Sequence, residues 1–471
     1  MNLKFEKKFG FEVWGKTKIE KVFAFAESYR QFLSECKTER EVVSWATKQA
    51  KNEGFEELKG FGDLSVKTSL NKRRLYGVNR DQAMVLAVFG KKPVKSGVRM
   101  IMAHIDSPRL DLKSQPLYEE EKIAWLKTQY YGGIKKYQWP ALPLAIHGVI
   151  VLANGKKVLL NMGENEAEPV LTISDLLPHL AQKQMEKKLE EAVLAEDLNL
   201  IVGSQSSLKS KEGIGKDKDR VKLGVLELLN KKYGITEEDL VSADLEIVPA
   251  GSARNLGFDG SMILGYGQDD RVCAYTALEA FLTIKDPVYS TLLVLTDKEE
   301  TGSEGNTSAI SNFIPDFISE MIFKEEGKHD ENTLRDCLAQ SKAVSADVTV
   351  AYDPDYPDAF DPKNTARLGA GITMEKYTGR RGKSDTSEAS AEYLAEIRQI
   401  FSQNNILWQT GGMGKVDLGG GGTIAMFLAR YNMDVVDAGP AILSMHSPFE
   451  VSSKIDIYAS FEAYKAFYGK L

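Results

Sequence analysis

Several apolar runs of this chain end in residues that could bind a metal or move a proton. The run GVRMIMA ends in His104-Ile105-Asp106, STLLVLT in Asp297-Lys298-Glu299-Glu300, KAVSA in Asp347 and AILSM in His446, and Asp269-Asp270 precedes a helical pattern. Taken singly, a histidine after a strand is an ordinary hydrogen-bonded residue, and Glu-Glu in a loop is a solvated pair. Together, with two of the chain's five histidines among them, the imidazoles and carboxylates are hard and borderline ligands suited to Zn2+, Mn2+ or Co2+. A paired-metal site needs one carboxylate to bridge ions about 3.5–4 Å apart, and a carboxylate that binds no metal can then deprotonate a water. Adjacent glutamates supply a ligand and a base because neighbouring side chains diverge. Asp106, two residues beyond His104 in an extended segment, points to the same side and is expected to accept the second imidazole N–H.

These residues need elements to position them. Apolar positions Val22, Phe23, Phe25, Ala26, Tyr29 and Phe32 recur at helical spacing within a helical stretch expected over Lys18 to Gly54. From Arg74 the pattern turns strand-like (LYGV, AMVLAVFG, GVRMIMAH), the last run being apolar enough for a strand buried on both faces. After Asp244, strands alternate with helices expected at Arg271–Ile284, after Asn306, at Thr386–Phe401, Thr423–Tyr431 and Lys454–Phe467. Such alternation predicts an α/β sandwich, a mainly parallel central sheet flanked by helices, with ligands beyond the carboxyl ends of the strands. Between these parts the texture changes to aromatics, Pro and Gly, then a β-rich run PLAIHGVIVLANGKKVLL, then a highly charged segment from Gln182 to Lys232. We expect a catalytic domain over 1–114 and 244–471 interrupted by an insert over 115–243, whose charged part is mostly solvated helix and loop.

Composition excludes several classes. The chain has 471 residues, net charge −7, 43% hydrophobic and 27% charged residues, which excludes wholesale disorder and fibrous architectures. Mild acidity argues against nucleic-acid binding driven by bulk charge. Cys36, Cys273 and Cys337 are odd in number and widely scattered, so they read as reduced thiols. No apolar run approaches the roughly 18–20 residues of a bilayer span, and the charged start MNLKFEKKFGFEVWG has no signal core. A cytoplasmic, unanchored protein is expected.

The segments AHIDSPRLDLK, GQDDR, DKEETGS, SAD, WQ–GGMGKVDLGGGGT and LSMHSPFEVSSKIDIYASFEAYKAF, in that order, resemble the signatures of the M18 metallo-aminopeptidases, the aspartyl aminopeptidase family. The resemblance covers nearly the whole chain, and HIDSP, EETGS and MHSPFE together are far more specific than any one. It implies a zinc exopeptidase-like sandwich with an inserted β-rich dimerisation domain, acting on free N-termini of short peptides. By matching motif it implies that His104 and Asp347 bind one metal, Glu300 and His446 the other, and Asp269 bridges, with Asp270 the weaker bridge candidate. Glu299 is implied as general base and then acid, with Asp106 orienting His104. The same resemblance implies two divalent ions per subunit, most naturally Zn2+, with Co2+ or Mn2+ as alternatives. PLAIHGV resembles a segment whose histidine reaches a neighbouring subunit's active site, so His147 is implied to bind substrate in trans within a homo-oligomer, a dodecamer built from dimers; a buried strand histidine is the alternative.

The chain also departs from the acidic-residue-specific members. After SAD it reads VTVAYDPDYPD, where those members carry histidines, and Thr373 comes directly after Ile372 where they have lysine. Lys376, Arg380 and Arg381 are the remaining cationic candidates, so preference for an acidic N-terminal residue is open. GIGKDKD fails as a P-loop because Ser210 and Asp217 stand where Gly and Ser or Thr are required. Gly419–Gly422 could offer N–H groups to an anion, but a structural or substrate-cleft loop fits better. HExxH is absent. The competing functions are a carboxypeptidase or deacylase with a similar ligand set, and an inactive assembly scaffold.

Overall fold

The computed structural model describes residues 3–58, 73–207, 219–328 and 330–470. The chain divides into two units, 1–106 with 253–445 and 450–471, and 107–252 with 446–449.

The first unit is built on a nine-stranded mixed sheet. Its centre is four parallel strands in the order Thr291–Thr296, Arg99–His104, Lys342–Ser345 and Asp434–Gly439. Alternation along these strands feeds two cores. Ile101, Ala103, Leu293 and Leu295 face one, together with Tyr29, Val272 and Tyr464. Met100, Met102, Leu292 and Val294 face the other, with Phe317, Ile318 and Leu428. A strand apolar on both faces therefore lies between two helical layers, which is why GVRMIMAH reads as one continuous apolar run. The α/β architecture and the mainly parallel sheet are as expected.

Helix boundaries differ in informative ways. The stretch Lys18–Gly54 is two helices, Lys16–Glu35 and Glu39–Asn52. The division comes from a capping box: the Thr38 hydroxyl accepts the Glu41 N–H (3.3 Å) while Glu41 Oε2 accepts the N–H groups of Thr38 (3.1 Å) and Lys37 (2.8 Å). The helix expected from Thr386 begins at Ala391, where the Ser390 hydroxyl accepts the Tyr393 N–H. Thr423–Tyr431 shrinks to Ala425–Ala429, and the helix expected after Asn306 begins at Phe313.

The second unit carries a seven-stranded sheet in which every pairing is antiparallel. It extends past 115–243 because strands Arg109–Glu120 and Ala243–Pro249 pair within it, Asp111 opposite Glu246. Its core gathers Leu110, Trp139, Ile150, Leu200 and Ile247. The charged segment holds short helices at Gln182–Met185 and Leu189–Ala192 and a longer one at Arg220–Tyr233. Its centre, with most of GIGKDKD, lies outside the described residues. No helix among the described residues is long and apolar enough to cross a membrane.

Candidate metal centre

The sheet brings its chemistry together by register. His104 pairs with Thr296 on the neighbouring parallel strand, so His104-Ile105-Asp106 and Asp297–Glu300 leave the same sheet edge side by side. The Ala346 N–H bonds to the Met102 carbonyl (2.8 Å), which places Asp347 at that edge from the other side. Asp269 and Asp270 enter from the first turn of helix Gln268–Leu282, where their backbone departs from helical angles and the peptide between them is cis. The N–H groups of Gln268 and Asp269 both donate to Glu450 Oε2, which anchors that turn.

His104 sits at the centre, 1% exposed. Its Nδ1–H donates to the Asp106 carbonyl (3.1 Å), with Asp106 Oδ1 at 3.4 Å. This orients Nε2 toward the acids: Asp269 Oδ1 at 3.1 Å, Asp347 Oδ1 at 3.9 Å and Glu299 Oε2 at 4.0 Å. Asp106 does more than the sequence suggested. It orients the imidazole largely through its backbone oxygen, and its carboxylate accepts the N–H groups of Glu299 (3.1 Å) and Glu300 (3.2 Å). One buried side chain thus ties the histidine strand to the Glu-Glu turn.

Electrostatics here favour a bound cation. Ligand atoms of His104, Asp269 and Glu300 lie within 4.8 Å of one another, as do those of His104, Asp270 and Asp347. Among the described residues neither oxygen of the fully buried Asp270 carboxylate has a nitrogen or oxygen donor, and the Cys273 thiol lies against it. Burial pushes Asp270 well above the ordinary carboxylate range, partly offset by His104 and reinforced by Asp269. Asp347 is pushed up likewise, by burial and then by the charge of Asp270. For His104 burial acts downward, but hydrogen bonds to Asp106 and Asp269 and the charges of Glu299 and Asp270 outweigh it and hold the imidazole well above its usual value. Crowded acids with orphaned oxygens around one histidine are what a divalent ion would satisfy, so the residues fit such a group.

A family model described as the aminopeptidase I zinc metalloprotease (M18) family matches residues 32–468. The chain belongs to the M18 family. A Clostridium acetobutylicum relative described as a probable M18 family aminopeptidase 1 is 47% identical over 464 residues, covering 98% of each chain. A Thermotoga maritima relative with the same description is 43% identical over the full length of both. The solved M18 aminopeptidase of Thermotoga maritima superposes with a TM-score of 0.93 at 41% identity, covering 99% of this chain and 100% of that one. A solved mApe1 dodecamer of S. cerevisiae shares the fold at 19% identity and a TM-score of 0.75. This M18 chain is a metallo-aminopeptidase of a zinc family.

Among the expected site residues, His104, Asp106, Asp269, Glu299, Glu300 and Asp347 meet at one sheet edge of this M18 chain, and Asp270, the weaker bridge candidate, lies beside His104 and Asp347. A local sign of Asp270's role is its place in the first helical turn, one residue before Arg271, with Cys273 one turn further on. His446 falls in the second unit, half-buried, where its Nδ1–H donates to the Gly133 carbonyl (3.0 Å) and so leaves the lone pair on Nε2. His147, 1% exposed on strand Leu144–Val151, has Nε2 2.9 Å from Glu164 Oε1. Lys376 lies 3.7 Å from Glu388 and over the Tyr377 ring. The Gly419–Gly422 run is a structural loop: the Gly419 and Gly421 carbonyls accept the Arg381 and Gly379 N–H groups, and a Cβ at Gly420 would meet the Gly379 carbonyl oxygen at 2.3 Å.

Proposed function

We propose that this aminopeptidase cleaves the N-terminal residue from short peptides with two divalent ions per subunit, held by His104 and Asp347 on one side and Glu300 and His446 on the other, with Asp269 shared. The observation that supports this best is the pair of ligand groups meeting at His104, one with Asp269 and Glu300 and one with Asp270 and Asp347. Asp270 belongs to the second group, but Asp269 is the better shared ligand because it groups with both His104 and Glu300, which this reading assigns to different ions. His446 enters through the MHSPFE motif, and its Nδ1–H bond to Gly133 leaves Nε2 as the ligating atom.

Bound zinc supplies Lewis acidity and a lowered pKa for water at neutral pH. The chain's own residues do the rest. Glu299 takes the proton of the attacking water and returns it to the leaving amine. Asp106 holds the turn that presents Glu299, and buried acids around the centre recognise the free α-amino group of the substrate. Zinc is the metal the family description supports, and Mn2+ and Co2+ fit the same oxygen and nitrogen donors.

His147 is proposed to contribute to a neighbouring subunit's site, within a homo-oligomer of dodecameric form like the yeast relative, in the cytoplasm. Mixed oligomers of His147→Ala with a metal-site variant should recover partial activity; no recovery would reject the contribution in trans. The proposed peptide chemistry is tested by assaying free and N-acetylated peptides across a panel of N-terminal residues with Zn2+, Mn2+ and Co2+ in turn. Cleavage of the free peptides alone is expected, and equal rates on both would reject an exopeptidase mode.

A further inference from the structure

The turn that presents Glu299 and Glu300 is held from behind as well as from Asp106. Asp297, fully buried, comes directly after strand Thr291–Thr296. Its Oδ1 accepts the Lys298 backbone N–H (2.8 Å), and its Oδ2 accepts both the Lys298 ammonium (2.7 Å) and the Thr307 hydroxyl (2.7 Å). Its own N–H donates to the Thr307 carbonyl (3.2 Å). One carboxylate therefore ties the strand end to the next loop and folds the lysine back on itself.

Lys298 is the residue that needs such help. Its φ is 67°, in the left-handed region that a side chain with a Cβ adopts at a cost unless its surroundings hold it there. Its stem runs beside Gly305, where a Cβ would come within 2.9 Å of Lys298 Cδ, and its carbonyl accepts the Ser303 N–H (2.7 Å). The left-handed residue sets the direction of the next two, and the next two are Glu299 and Glu300. Displacing a reacting group by about 1 Å can cost on the order of 100-fold in rate.

We propose that Asp297 is a positioning residue for the aminopeptidase reaction: by fixing Lys298 in its left-handed conformation it aims the Glu299 and Glu300 carboxylates, acting through the turn and not on the substrate. This rests on Glu299 as base and Glu300 as metal ligand. Asp106 grips the turn through the N–H groups of Glu299 and Glu300, and Asp297 through the N–H and ammonium of Lys298. The two carboxylates therefore define the turn from both ends.

The full-length zinc-loaded protein tests this with Asp297→Ala, Asp297→Asn, Thr307→Val and the double variant Asp297→Ala/Lys298→Gly, with Glu299→Gln as reference. For Asp297→Ala, kcat should fall about 10-fold or more with KM within about threefold, and zinc affinity, read by chelator competition with the metal alone, should weaken as Glu300 loses its aim. Asp297→Asn, which keeps an acceptor for the Lys298 N–H, should fall between, and Thr307→Val should lose a few-fold. Lys298→Gly should restore part of the loss, since glycine takes positive φ without support; a merely structural Asp297 would show no such rescue. If Asp297→Ala does not fold, Asp297→Asn and Thr307→Val carry the same comparison. Wild-type kcat and zinc affinity in the Asp297 variants, beside an inactive Glu299→Gln, would overturn the positioning role alone. Normal turnover by Glu299→Gln would overturn the assignment of the base and the inference with it.

Discussion

Two sets of buried acids lie in the same unit and behave differently. Asp269, Asp270 and Asp347 crowd around His104, and among the described residues Asp270 has no nitrogen or oxygen donor on either oxygen. Glu375, Asp437 and Asp456 are buried in the same unit too, but Glu375 and Asp456 have their own hydrogen-bonding neighbours. Glu375 accepts from the Thr349 hydroxyl and Asp456 accepts the N–H groups of Gly369 (2.7 Å) and Gly371 (2.6 Å), while Asp437 Oδ1 has no hydrogen-bond partner among the described residues and still belongs to neither ligand group at His104. Burial pushes these three up as well, Glu375 to about 7, Asp437 to about 6 and Asp456 to about 8. Burial by itself therefore does not mark a metal centre. The mark is a convergence of acids on an imidazole with too few protein donors to satisfy them, so that a cation completes the set.

The sharpest way to break this contrast is at the base. Glu299→Gln should retain its zinc by elemental analysis and lose at least about 100-fold in kcat, and near-normal turnover would remove Glu299 from the chemistry. Next, Asp347→Asn should weaken zinc binding by about 10-fold or more, whereas Asp456→Asn should bind zinc like the wild type. Equal losses in chelator competition would erase the distinction between the two sets.

The smallest effect is on stability against pH. Glu375 in the folded protein sits at about 7, above an unfolded glutamate, so the folded state holds the proton more tightly. Its contribution is full below the unfolded value near about 4.3, declines as pH rises and is lost above about 7. The decline is at most about 1.4 kcal/mol per pH unit for one proton. In metal-free protein, thermal melts between about pH 4.5 and 7.5 should show the transition falling with pH, and Glu375→Gln should flatten that fall. An unchanged slope would mean that Glu375 is not a buried, protonated acid.

Much of the site was legible because its signals are local. Strand exits carrying His104, Glu299-Glu300 and Asp347 can be found from apolar runs and the polar residues just beyond them, and the M18 signatures order them. The α/β fold was legible for the same reason, since a strand buried on both faces reads as an uninterrupted apolar run. Helix ends were less so. The break at Thr38 depends on a reciprocal pair, Thr38 and Glu41, within a stretch whose apolar spacing continues as if the helix did. The positioning contacts of Asp297 were not legible because they depend on the left-handed turn at Lys298, and the second function of Asp106 was not, because it depends on a contact between segments far apart in the chain. The Asp106 carboxylate meets N–H groups almost two hundred positions away.

The sequence by itself determined the family, the residue types able to hold zinc, and the layered architecture, because periodicity and motif spacing are properties of the chain. Only the tertiary structure decided how those residues divide their work. Register between the strands ending at His104 and Thr296 sets which acids face the imidazole, and burial sets which carboxylates lack donors. The same two letters, Asp and Glu, become a metal ligand, a base or a silent core acid according to the partners that folding brings within about 3 Å.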